Sequence, residues 1–199
     1  MSDPTHFTQH ATHAIQQSET EARRFRSRSI EVEHLFIALC ATDAGVGAAV
    51  LHEDLQLEVE QVRAVVADVA SKFSPIAADI NSDRPTGSPS FKDALFWAGE
   101  EARYANHRYI DTAHLLLGLA ASSDKPMREV FRRLNLDPSQ IRAHIHERVP
   151  EIPLQVNQSA RLKDRMRTEF YHNFAFYVPQ PIRKLFGRWL DASRMPPLG

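Results

Sequence analysis

Apolar residues along this chain recur mostly at three- and four-residue steps, the period of one face of a helix. The pattern predicts helices at about 7–25, 32–42, 46–53 and 58–72, then at about 90–106, 112–122, 126–134 and 138–148. The 58–72 segment shows the logic: Leu57, Val59, Val62, Val65, Val66 and Val69 line one side. Its valines also admit a strand. The matching segment after Asp137-Pro138 opens with an N-cap residue and a proline at the first helical position, which favours helix. Residues 73–90 hold Pro75, Pro85, Gly87 and Pro89 among Ser, Asp and Asn, and read as a linker. Beyond Pro150 a short polar stretch leads to a candidate helix at 157–174, broken by Pro179 and Pro181. Then Ile182, Leu185, Phe186, Trp189 and Leu190 form a single apolar stripe over 181–191, with Arg183, Lys184 and Arg188 on other faces. The last residues, Met195–Gly199, are expected to fray.

The pattern occurs twice. Glu21-Ala22-Arg23, Ile30 and His34-Leu35 recur 80 residues later as Glu101-Ala102-Arg103, Ile110 and His114-Leu115. Leu39 with Leu119 and Val50 with Val130 keep that register. One deletion then changes the offset to 79, pairing Leu57 with Leu136 and Val62 with Ile141. A doubled core pattern implies two similar helical lobes in one body. Leu35, Leu39, Val50 and Leu51, with Leu115, Leu119, Val130 and Phe131, are the expected core.

Composition narrows the class. Hydrophobic residues make up 43% and charged residues 25%, ordinary for a globular protein. The formal net charge of −1 supplies no bulk field for nucleic acid. Residues 151–199 are the exception, with eight Lys/Arg against four acids. Cys40 is the only cysteine, which suits a reducing compartment, and its apolar neighbours mark it as a buried small hydrophobe. No signal-peptide core opens the chain, and no stretch approaches the ~20 apolar residues of a membrane span.

The residues also resemble a family. Phe7-Thr8, then Glu21-Ala22-Arg23-Arg24, then Ile30-Glu31-Val32-Glu33-His34-Leu35 are similar to the amino-terminal repeat domain of Clp/Hsp100 unfoldases. The second copy, Glu100-Glu101-Ala102-Arg103 followed by Asn106 to Leu119 with Asp111-Thr112-Ala113-His114-Leu115, is closer still. The resemblance covers residues 5–149. It implies an all-α fold: a pseudo-twofold tandem of two four-helix lobes (residues 5–72 and 91–149) around the 73–90 linker, with a helical, basic 150–199 extension. No G-x-x-x-x-G-K-[ST] phosphate loop is present, so the expectation is a repeat module without the ATPase machinery of those unfoldases.

In the ClpC branch such domains bind phosphorylated arginine through a hydroxyl after the first-helix Phe and the Glu of a Thr-Glu-His motif. The resemblance carries these roles to Thr8 and Glu33, although Val32 stands where the motif has its Thr. The second copy has Gly87-Ser88 and Ala113 at those positions, so one of two such sites is expected to be lost. The competing reading makes Glu33 a helix-start charge that stabilises the fold. His34 and His114 are expected to be structural, packing their rings and hydrogen-bonding backbone of the neighbouring helix. His6, His10 and His13 share a face if the helix starts early enough, but nothing completes a metal site. Arg23, Arg24, Arg26 and Arg28 read as a solvated helix end. The stripe Ile182, Leu185, Phe186, Trp189 and Leu190 has three open readings: docking on the repeats, a partner or self-association, or a membrane surface.

These features lead to one main expectation: a non-catalytic, cytoplasmic protein-binding module without cofactor or metal. It recruits substrates or adaptors to a Clp AAA+ unfoldase–protease, or modulates it. The rival is a structural or membrane-surface protein that reuses the fold, with the C-terminal helix as anchor. An enzyme is the third reading.

Overall fold

The computed structural model describes residues 6–73 and 85–154. In chain order the elements are β1 (His6–Phe7), α1 (Gln9–Arg24), β2 (Ser29–Ile30), α2 (Val32–Cys40) and α3 (Val46–Ala49). A π-helical turn (Val50–Asp54) continues α3, and α4 (Val59–Phe73) ends the first repeat. The second holds β3 (Thr86–Gly87), α5 (Pro89–Tyr104), β4 (Tyr109–Ile110), α6 (Thr112–Ala120), α7 (Lys125–Arg133) and α8 (Pro138–Arg148). All eight predicted helices within this range are present. The four strands are additional, and at two residues each they are too short to carry an alternating pattern.

Local chemistry repeats with the sequence. Thr8 caps α1 by accepting the Ala11 N–H at 3.3 Å, and Ser88 caps α5 by accepting the Phe91 N–H at 3.1 Å. Both helices end in a Schellman turn, where a residue in the left-handed region lets the next N–H reach the carbonyl five residues back. Arg26 (φ 52°) and Asn106 (φ 57°) hold that position. Ser27 N–H donates to Ala22 O at 2.9 Å and His107 N–H to Ala102 O at 2.8 Å.

The change of offset from 80 to 79 has a structural cause. In the second repeat Leu136 N–H closes on Phe131 O at 2.8 Å; in the first, Leu57 N–H closes on Leu51 O at 2.9 Å, across one more residue. The π turn absorbs that residue without disturbing the core on either side, as single-residue insertions into helices do.

The repeats are interlocked. β1 of the first pairs in parallel with β4 of the second, His6 opposite Tyr109, and β2 of the first pairs with β3 of the second, Ser29 opposite Thr86. The ladders extend symmetrically, with Thr8 N–H donating to Ile110 O at 2.9 Å and Ser88 N–H to Ile30 O at 3.0 Å. One continuous core spans both repeats and includes all eight expected residues. Phe36 meets Phe131 edge-on across the interface, ring centroids 5.4 Å apart. α6 lies so close to α5 that a Cβ at Gly118 would overlap backbone atoms of Ala94 and Ala98.

Candidate peptide-binding groove

The end of α1, the segment 26–29, the start of α2 and the outer side of α4 enclose a groove of about 910 Å³. Phe25, Val66, Ala67 and Ala70 give it apolar lining, and Phe73, 47% exposed, stands at its edge. Arg24, Arg26 and Arg28 border it from the exposed side, and Pro126 contributes from the second repeat. The left-handed turn at Arg26 brings the chain off α1 and directly into β2, which sets the 26–29 wall.

Glu33 lies in the first turn of α2 and lines this groove, yet it is only 8% exposed. No hydrogen bond reaches its Oε2 among the described residues. Burial pushes its carboxyl up to about 7; its own backbone N–H opposes that, and the Asp124 and Glu31 charges add to it. Such an oxygen has given up water without a replacement, which is costly unless something else binds it. Beside it, burial lowers His34 to about 4, so the ring is neutral at pH 7. His34 Nδ1 accepts the Glu31 N–H at 2.9 Å, and the ring packs on Phe25 with centroids 5.6 Å apart. His114 does the same with the Asp111 N–H at 3.0 Å, and its Nε2 lies 3.0 Å from His107 Nδ1. Both histidines lock their own helix start, not a neighbouring helix.

Thr8 and Glu33 lie at different helix starts. The crossed ladders set Thr8 beside Ile110, at the start of α6 where Ala113 replaces the carboxylate. The hydroxyl residue delivered to the start of α2, near Glu33, is Ser88.

One wall of the groove was not read from the sequence. Glu21, 2% exposed, accepts a bidentate pair from Arg63 of α4, with Nη2–Oε1 at 2.7 Å and Nε–Oε2 at 3.2 Å. Glu101, 1% exposed, accepts the same from Arg142 of α8, at 2.5 and 2.9 Å. Arg63 also meets Glu60. The signal was available: Arg63 and Arg142 are 79 residues apart, in the register of the second half of the repeat.

The remaining candidates do not converge on this site. His6 lies on β1, ahead of the helix that carries His10 and His13. No group of three metal-ligating side chains occurs among the described residues. Cys40 is buried, and burial pushes its thiol up to about 12, away from the reactive thiolate. Arg23 pairs with Glu19 at 3.0 Å, and Arg24 approaches Glu21 at 3.9 Å. The 157–174 helix and the stripe Ile182, Leu185, Phe186, Trp189 and Leu190 lie outside the described residues, as do residues 74–84 of the linker.

Comparison with known proteins places this geometry in context. The family model described as the Clp repeat (R) N-terminal domain matches residues 6–95 and again 86–168. A probable ATP-dependent Clp protease ATP-binding subunit of Chlamydia pneumoniae is 29% identical over 154 residues, 77% of this chain and 18% of that protein. The chloroplastic chaperone protein ClpC2 of Arabidopsis thaliana is 31% identical over 146 residues, 73% of this chain and 15% of its own length. The chain thus matches less than a fifth of either relative. Among solved structures, the N-terminal domain of the chaperone ClpD from Arabidopsis thaliana aligns with a TM-score of 0.56 at 24% identity, covering 72% of this chain and 96% of that one. The Hsp104 N-terminal domain from Candida albicans aligns at 0.57 and 16% identity, covering 77% and 97%. These two likenesses concern the fold.

Proposed function

Because the chain belongs to the Clp repeat N-terminal domain family, we propose that it is a non-catalytic protein-binding module that recruits substrates or adaptors to a cytoplasmic Clp AAA+ unfoldase–protease, or modulates it. The observation that carries this reading is the open groove with a buried, half-satisfied carboxylate at Glu33 and a border of arginines. A groove with apolar lining and a few polar groups suits an extended polypeptide, which brings both side chains and backbone amides. Within this reading Glu33 receives a guanidinium, ammonium or amide N–H of a client. A phosphorylated arginine is the special case in which nearby hydroxyl or backbone N–H groups also hold a phosphate. The basic stripe-bearing tail supplies a second contact through Ile182, Leu185, Phe186, Trp189 and Leu190.

The competing reading is a structural or membrane-surface role. No helix among the described residues is long and apolar enough to cross a membrane. A pull-down from the native cell with the full chain as bait separates the two. Recovery of Clp subunits together with their clients is the expected result, and recovery solely in the membrane fraction would refute the proposal. ATP turnover by the pure chain would overturn the non-catalytic assignment.

A further inference from the structure

The two repeats treat the same surface differently. In the second, α8 stops at Arg148 and the chain folds back over it. Ile152 N–H donates to Val149 O at 3.0 Å, Arg142 Nη1 donates to Pro153 O at 3.2 Å, and His146 Nδ1 lies 2.7 Å from Ile152 O. The Ile152 side chain is completely buried. Arg142, His146 and Val149 are the counterparts, 79 residues on, of Arg63, Ala67 and Ala70, which line the groove of the first repeat, where no such covering segment occurs among the described residues. The Glu151 charge acts on His107, the counterpart of Ser27 in the groove wall. The second repeat therefore carries its own occupant, the segment Glu151-Ile152-Pro153. In the first repeat α4 runs about a turn further, and the counterpart of Ile152 is the half-exposed Phe73 on that helix.

From this difference we infer that the first-repeat groove is a docking site for an extended segment of a partner protein in which an acidic residue precedes an aliphatic one, the chemistry that Glu151-Ile152 presents to the second repeat. The aliphatic side chain covers Val66 and Ala70 as Ile152 covers its own site. A carbonyl takes a free N–H of Arg63, whose guanidinium is already oriented by Glu21. The acidic residue meets Arg26 and Arg28, which are exposed and paired with no carboxylate among the described residues. An acidic segment complements Arg24, Arg26 and Arg28, which the Arg183, Lys184 and Arg188 stretch of the chain's own tail, being of like charge, does not. The inference rests on the protein-binding reading and adds the chemistry of the partner.

The test uses the full chain and a fluorescein-labelled peptide with the sequence of residues 149–154 (Val-Pro-Glu-Ile-Pro-Leu), followed by fluorescence anisotropy. Saturable binding is expected. Arg28→Glu should weaken it about fivefold, the scale of reversing one exposed ion pair. Ala67→Glu, at an exposed position inside the groove, should abolish it without unfolding the protein. Absence of saturation at millimolar peptide, or equal affinity for Ala67→Glu, would overturn the inference. So would preferential binding of a peptide of residues 181–191, which would make the tail the occupant. The same Ala67→Glu chain in the pull-down separates the two readings. Retained Clp capture without parental peptide binding leaves the module assignment standing and removes this groove. Peptide binding by the parent without any Clp capture does the reverse.

Discussion

Replacing Arg142 by Ala removes the guanidinium from a carboxylate with almost no access to water. Glu101 is 1% exposed and both its oxygens are held by Arg142, at 2.5 and 2.9 Å. The arginine is itself only 16% exposed and also holds the Pro153 carbonyl. Breaking a buried pair from one side costs about 3–5 kcal/mol, because the remaining charge has neither partner nor solvent. At about 2–4 °C per kcal/mol for a protein of this size, the thermal midpoint should fall by roughly 10 °C. The pseudo-symmetric Arg63→Ala should cost less, since Glu21 keeps Arg24 at 3.9 Å. Replacing both members, Glu101→Leu with Arg142→Met, should recover most of the loss, because no buried charge is left alone. Urea unfolding followed by far-UV circular dichroism measures all four proteins. A loss under about 1 kcal/mol for Arg142→Ala, or a double variant no more stable than the single, would refute the view that this pair fastens α8 to α5.

Three further outcomes follow from the same geometry. Gly118→Ala should destabilise by about 1–3 kcal/mol in urea unfolding, because the added Cβ would push α6 from the α5 backbone at Ala94 and Ala98. Gln56→Gly should stabilise by about 0.5–1 kcal/mol in a thermal melt, because Gln56 sits at φ 51°, which costs a side-chain-bearing residue more than glycine. The Glu33 carboxyl is raised from 4.5 to about 7, so folding favours its protonated form. Its contribution is fully present below pH 4.5 and lost as pH rises through 7. Between pH 4.5 and 8 the parent should therefore lose on the order of 3 kcal/mol relative to Glu33→Gln. Parallel pH-dependent profiles for the two proteins would remove the premise that this group is buried. His34, lowered to about 4, gives the opposite slope in both proteins and cancels in the comparison.

Helices and core were legible because both rest on the 3.6-residue period, which each repeat states independently; Leu39 and Leu119 are buried as that period requires. The start of α1 was placed two residues early because Phe7 is apolar and in phase, although it belongs to β1. The strands escaped notice for a deeper reason. Their partners lie in the other repeat, and a two-residue ladder leaves no local periodicity. The candidate site suffered from the same blindness. Thr8 and Glu33 stand in one repeat along the chain, but the crossing sends them to different helix starts. Glu21 was visible as a motif residue, but its partner Arg63 is 42 residues away and only folding brings them together. The covering of the second repeat by Glu151-Ile152-Pro153 was illegible too, since it depends on where α8 ends.

The exchange of strands has a consequence for assembly. Each repeat contributes one side of two ladders, so a lone copy could complete both only by joining a second copy, in a reaction that dilution would reverse. Carrying both copies on one chain makes that association intramolecular, with an effective concentration set by the connection. Integrity then no longer depends on how much of the protein the cell contains. Two copies in one chain also free the pair from identity: the second repeat can be covered by the segment that follows its own last helix, while the first continues that helix about a turn further, an asymmetry that a true homodimer could not encode.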